Sequence, residues 1–235
     1  AVHSVGGTIA EVAAPLLVGF LLVFLDWRQV LQVNTIPAIA AGLIFLRLAR
    51  MISTPSQEYL KDSNLSDIVK ICMRPDVVVV ILMLLLHSMA VLAFMSMAPL
   101  YLHETRGFSS SLIGVAFSVF VASGAVVAPL IGRVSDMAWR KPIAVIGLIF
   151  GGISAALITI PSNTAGLFAL LALTGLLMLT IRPVIIAMAL EKIGRREATV
   201  LGLILSIGEG AAALGATLAG ILADVNLAYA IMLSA

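Results

Sequence analysis

The chain has 235 residues, of which 61% are hydrophobic and only 11% charged, and its mean hydropathy is +1.16. A soluble domain carries roughly 25% charged residues, so this composition excludes one and makes the bilayer the solvent. The formal net charge of +2 gives no reason to invoke nucleic acid, and a single cysteine, Cys72, excludes a disulfide or cysteine-rich metal framework within these residues.

Windows of about 20 apolar residues, enough to cross a hydrocarbon core as a helix, fall at 4–25, 29–49, 77–102, 109–132, 142–161, 165–190 and 199–223, and another starts near 226. They are continuously apolar and lack the two-residue alternation of a membrane barrel, so they predict an all-α integral membrane protein. Ala1 stands in helical sequence and Ile231 to Ala235 are too few to complete a span, so both ends are expected to lie inside a longer chain.

The first span carries small residues at Ser4, Gly6, Ala10 and Ala14 and an acid, Glu11, roughly 20 Å along the helix from Asp26. Small residues four apart share a helix face and let two backbones approach closely, where packing drives association in lipid. The stripe returns in the last complete span as Ser206, Gly208, Ala212, Ala216 and Gly220, and each copy runs to an acid at the helix exit, Asp26 and Asp224. Such a repeat suggests two related bundles with a site between them.

Met51 to Asp76 is the only long polar stretch and reads as a linker between domains. Within it Ser66 is expected to cap a short helix that reaches Cys72 and stops before Pro75. The next span places His87 near mid-membrane, and its methionines Met83, Met89, Met95 and Met97 read as lipid or core residues, because no Cys or His accompanies them at ligand spacing. No metal or other cofactor is expected.

Further on, Arg182 lies roughly 15 Å along its helix from Lys192, and Glu209 a similar distance from Arg195 and Arg196. Ionisable groups this deep are costly, so they are expected to face a cavity or a partner. Arg182 precedes Pro183, which frees a carbonyl one turn earlier; the guanidinium can satisfy that carbonyl, pair with Glu209 or meet an anionic solute. Glu11 has no base nearby on its own helix and is a candidate proton carrier, as is Glu209; His87 is a candidate relay.

Eleven basic residues, among them Arg47, Lys70, Arg133 and Lys192, fall on one side of this arrangement, and two, Arg28 and Arg106, on the other. By the positive-inside rule the first span starts in the cytoplasm. Every Lys lies in a loop, which excludes a retinal Schiff base within the spans; no positioned Ser–His pair or intramembrane Asp pair supports a hydrolase, and no polar ring supports a channel.

The segment Gly132, Arg133, Val134, Ser135, Asp136, Met137, Ala138, Trp139, Arg140, Lys141 resembles the cytoplasmic loop signature of the major facilitator superfamily, a Gly, an Asp four later and a basic pair. Gly107 to Asp136 and Arg195 to Gly202 are similar to that family's eighth helix and its tenth-to-eleventh loop. The resemblance implies a major facilitator-type bundle in which 1–50 are helices five and six, the end of the N-terminal bundle. It makes 51–76 the cytoplasmic linker and 77–235 a six-helix C-terminal bundle with a truncated last helix; helices one to four are the missing partner.

It further implies a secondary transporter, not an enzyme, that moves a small-molecule solute by alternating access through a multi-pass bundle in a bacterial-type cytoplasmic membrane. Gly132, Asp136, Arg140 and Lys141 would form its cytoplasmic gate. Gly6, Ala10, Ala14, Pro15 and Gly19 resemble the Gly-Pro motif of proton-driven exporters, which implies efflux of small organic compounds coupled to protons. Proton-coupled uptake of a metabolite, and a non-transporting receptor or scaffold, are the alternatives.

Overall fold

The computed structural model describes residues 2–49, 65–193 and 197–234; within these, the side chains of 2–9, 65–68, 138 and 197–199 lie outside the description. Most of the 51–76 linker, the Arg195–Arg196 pair and any side-chain role of Ser4 are therefore outside it as well. The elements are α1 Val2–Phe24, α2 Trp27–Ala49, α3 Leu65–Cys72, α4 Pro75–Glu104, α5 Ser110–Val134, a π-helical turn Ser135–Trp139, α6 Arg140–Leu157, α7 Thr164–Ile193, α8 Glu197–Ala223 and α9 Leu227–Leu233. Among the described residues, the helices starting at Trp27, Pro75, Ser110, Arg140, Thr164 and Val200 are long and apolar enough to cross a bilayer.

Polar residues at the helix ends set the boundaries. Asp26 accepts from the backbone N–H of Arg28 at 2.8 Å and Gln29 at 3.0 Å, and Gln29 accepts in return from the N–H of Asp26 at 3.1 Å, a reciprocal cap that starts α2. Asn163 and Asn226 cap α7 and α9 from one side, their Oδ1 atoms accepting from the backbone N–H of Gly166 and Ala228. Two of the differences from the sequence reading bear on helix ends. α6 ends at Leu157 instead of 161, because Pro161 disfavours helical backbone at the residue before it. Ser66 lies within α3, which begins at Leu65, instead of ahead of it.

α7 is the central helix: α4, α5, α6 and α8 all touch it, while α8 and α9 lie along α4 and α1 lies along α5. The closest crossings are made by glycines. A Cβ on Gly175 would stand 1.9 Å from the Phe120 carbonyl oxygen, and one on Gly114 would stand 2.5 Å from that of Pro15, so α5 meets α7 on one face and α1 on another with backbone against backbone. Ser118 fastens the α1–α5 crossing by donating to the Val12 carbonyl at 2.9 Å.

Two buried apolar layers form the interior. Phe94, Phe120, Leu102 and Leu171 build one, with Phe94 and Phe120 stacked at 5.2 Å; Leu84, Ile181, Ile185, Val200 and Ile204 build the other. In α4 the polar pair His87 and Ser88 falls between Leu84 and Phe94, hence between the layers.

Candidate functional site

At that intermediate level α1, α4, α5, α7 and α8 line a half-open cavity of about 580 Å³. Its walls are mostly apolar, including Val18, Val91, Leu92, Met95, Val121 and Leu179. The polar side chains on it are Glu11, His87, Ser88, Arg182 and Glu209, so the structure brings all four sequence-selected intramembrane residues to one space. Each comes from a different helix, which explains why sequence spacing alone gives no sign of the grouping.

Arg182 donates from Nη2 to Glu209 Oε1, an α7–α8 ion pair. Between the two protein partners open to Arg182, the carbonyl freed by Pro183 and Glu209, the guanidinium takes Glu209. Glu11 has no ion-pair or hydrogen-bond partner among the described residues. His87, 4% exposed, also lines a second cavity of about 250 Å³ with Met83, Gly147, Gly151 and Met178, so it stands as the partition between the two.

Ser88 is a site residue that the sequence reading missed. Its Oγ is buried without a hydrogen-bond partner, although a helical serine can bond back to the carbonyl one turn earlier. Its only sequence signal is its place beside His87 in an otherwise apolar span.

The small-residue stripe divides. Gly208 and Ala212 are buried on α8, and Ala212 lines the cavity; Ala216 and Gly220 are half-buried, and a Cβ on Gly220 would meet nothing within 4 Å. Closest approach shifts to Gly215, where a Cβ would stand 2.5 Å from the Met89 carbonyl oxygen, and to buried Ala219. With 3.6 residues per turn, a strict four-residue spacing drifts by about 40° each step, so Gly220 sits about 120° around the helix from Gly208. On α1, Ala10 and Ala14 are exposed, Ala14 on the cavity, while Gly19 makes the close contact; Gly6 lies where side-chain surroundings are not described.

At the helix ends expected to face the cytoplasm, the π-helical turn sets Asp136 beside Arg140 at 2.8 Å, and Arg140 extends to Glu191 on α7 at 2.5 Å and to the Ala187 carbonyl at 3.5 Å. Next to Glu191, Lys192 reaches Asp76 at 3.4 Å, and Asp76 also pairs with Arg74 at 3.0 Å. The sequence reading gave neither Glu191 nor Asp76 a role in these contacts; opposite charges at helix ends were the available signal. Lys141 is exposed, and a Cβ on Gly132 would meet nothing within 4 Å. Among the described residues no cluster of His, Cys, Asp or Glu could hold a metal ion.

A family model described as Major Facilitator Superfamily matches residues 1–216. The chain belongs to the Major Facilitator Superfamily. No curated protein and no solved structure matches it significantly. As a Major Facilitator Superfamily protein it is a secondary transporter, not an enzyme, and an integral multi-pass membrane protein that carries small solutes across a lipid bilayer. Its helical, strand-free described structure is that of a major facilitator-type membrane bundle.

Proposed function

We propose that this transporter exports small organic compounds in exchange for protons, with the cavity opening alternately to the two faces of a bacterial-type cytoplasmic membrane and Glu11 carrying the proton. The supporting observation is the contrast between its two carboxylates: Glu209 is held by Arg182, whereas Glu11 is unpartnered among the described residues. A carboxyl without a fixed counter-charge gains most from a proton when water is excluded and loses it when water returns. His87, between the two cavities, is a proton relay in this reading, and Arg182 pairs with Glu209.

Residues 1–50 and 77–235 then belong to opposite halves joined by 51–76, and the glycine-lined α1–α5 crossing is the seam along which they rock. A seam of small residues imposes little steric penalty on such motion. Asp136, Arg140 and Lys141, with Gly132 at the turn, serve as the inner lock, and Arg140 is its centre because it reaches both Asp136 and Glu191.

The test is flux of a panel of neutral and charged fluorescent organic dyes in proteoliposomes under an imposed pH gradient. Glu11→Gln is expected to abolish acceleration by the gradient, and Glu209→Gln to slow flux while keeping part of that acceleration. Full gradient dependence in both variants refutes the proton assignment, and the sign of the effective gradient separates export from uptake.

A further inference from the structure

Three charged side chains at the helix ends opposite the Asp136 turn have no part in the transport reading, yet they tie the connector to the bundle. Arg74 stands just before α4 and pairs with Asp76 in its first turn at 3.0 Å. The same carboxylate oxygen, Asp76 Oδ2, accepts from Lys192 Nζ at 3.4 Å. Arg74 also donates from Nη1 to the main-chain carbonyl of Lys192 at 3.3 Å. Lys192 lies in the last turn of α7, where carbonyls lack helical donors, so the guanidinium satisfies one of them and sets positive charge at the negative end of the helix.

An exposed ion pair alone contributes little. Here it is joined to a helix cap and to apolar contact, since Ile71 and Cys72 of α3 pack on the buried layer that holds Val80, Ile185 and Ile193. The neighbour of Lys192, Glu191, takes Arg140 at the start of α6, so consecutive residues of α7 are held by two different helices. We infer that Arg74, Asp76 and Lys192 form a clasp that fastens the end of α3 to the end of α7, so that residues 69–76 travel with the C-terminal half and do not act as the joint between the halves. This inference rests on the reading of 51–76 as the connector of two halves, and it moves the mechanical boundary of the C-terminal half to include the end of α3.

The single cysteine, Cys72, is a built-in reporter of the clasp. Loss of a nearby cation by itself disfavours the thiolate and slows maleimide labelling, so acceleration in a variant that loses a cation reads release of α3. In the purified chain, Arg74→Gln and Lys192→Met are each expected to label about threefold faster or more, because local opening sets the rate at a docked thiol. Lys192→Arg is expected to keep the unsubstituted rate. Labelling that is unchanged or slower in either Arg74→Gln or Lys192→Met overturns the inference. Should either variant fail to fold, distances between spin labels in the charge-intact chain decide. With Cys72→Ser in place, labels at Met73→Cys and Trp139→Cys, both exposed positions, are expected to give a single narrow distance, and several distances overturn the clasp. The same measurement from Met73→Cys to Leu48→Cys on α2 tests the underlying reading separately. A single narrow distance there refutes the rocking of the halves and leaves the clasp standing.

Discussion

Arg182 on α7 and Glu209 on α8 form an ion pair across the cavity wall, although 27 positions separate them in the sequence. Removing one partner strands the other charge, whereas removing both does not. Arg182→Met is therefore expected to be less stable than the double variant Arg182→Met/Glu209→Gln. Both side chains are substantially exposed, at 45% and 61%, so the coupling is expected to be about 1 kcal/mol. Thermal unfolding of the single and double variants in detergent measures it, and strict additivity contradicts it.

Gly215, outside the predicted small-residue stripe, and Gly220, within it, have opposite environments. Gly215→Ala places a methyl group against the Met89 backbone, which cannot retreat as a side-chain tip can, and is expected to cost about 2 kcal/mol. Gly220→Ala meets open space and is expected to stabilise α8 by about 0.5 kcal/mol through helix propensity. Unfolding midpoints of the two variants, compared side by side, check the contrast.

Ser88 carries a buried hydroxyl without a partner, so the folded state bears its desolvation without a compensating bond. Ser88→Ala is expected to leave stability unchanged or raise it by about 1 kcal/mol. A clear drop in the unfolding midpoint indicates that the hydroxyl is bonded in solution.

Cys72, at the end of α3, is half-buried against the apolar layer of α4, α7 and α8, and burial pushes its thiol pKa up. The reactive thiolate is then scarcer at neutral pH than in a free thiol. Maleimide labelling is expected to be several-fold slower than that of glutathione at pH 7.5, and its rate is expected to continue rising at pH values where glutathione labelling has levelled off. Matched pH profiles of the two reactions test this directly.

Much of the fold was legible in the residues because hydration acts locally. An uncharged run long enough to span the bilayer announces a helix, whereas the caps at Asp26, Asn163 and Asn226 that fix three helix starts emerged only in the structure. Local signals also misled. A four-residue count placed Gly220 on the face of Gly208, and only the true helical pitch moves the contact to Gly215 and Ala219. The Gly114–Pro15 and Gly175–Phe120 crossings were hidden for another reason: a glycine in an apolar span looks the same whether it meets a backbone or lipid.

The sequence by itself determined that the chain lives in a membrane as a helical bundle and that Glu11, His87, Arg182 and Glu209 are its expensive residues, because the cost of placing a polar group in hydrocarbon belongs to that residue and its depth. The tertiary structure decided that all four border one cavity, that Arg182 takes Glu209 instead of a freed carbonyl, and that Glu11 is left without a partner among the described residues. Pairing depends on how each helix is rotated about its axis and which neighbour it touches. Those rotations are set by close contacts such as Gly215 on Met89, which no stretch of sequence contains on its own.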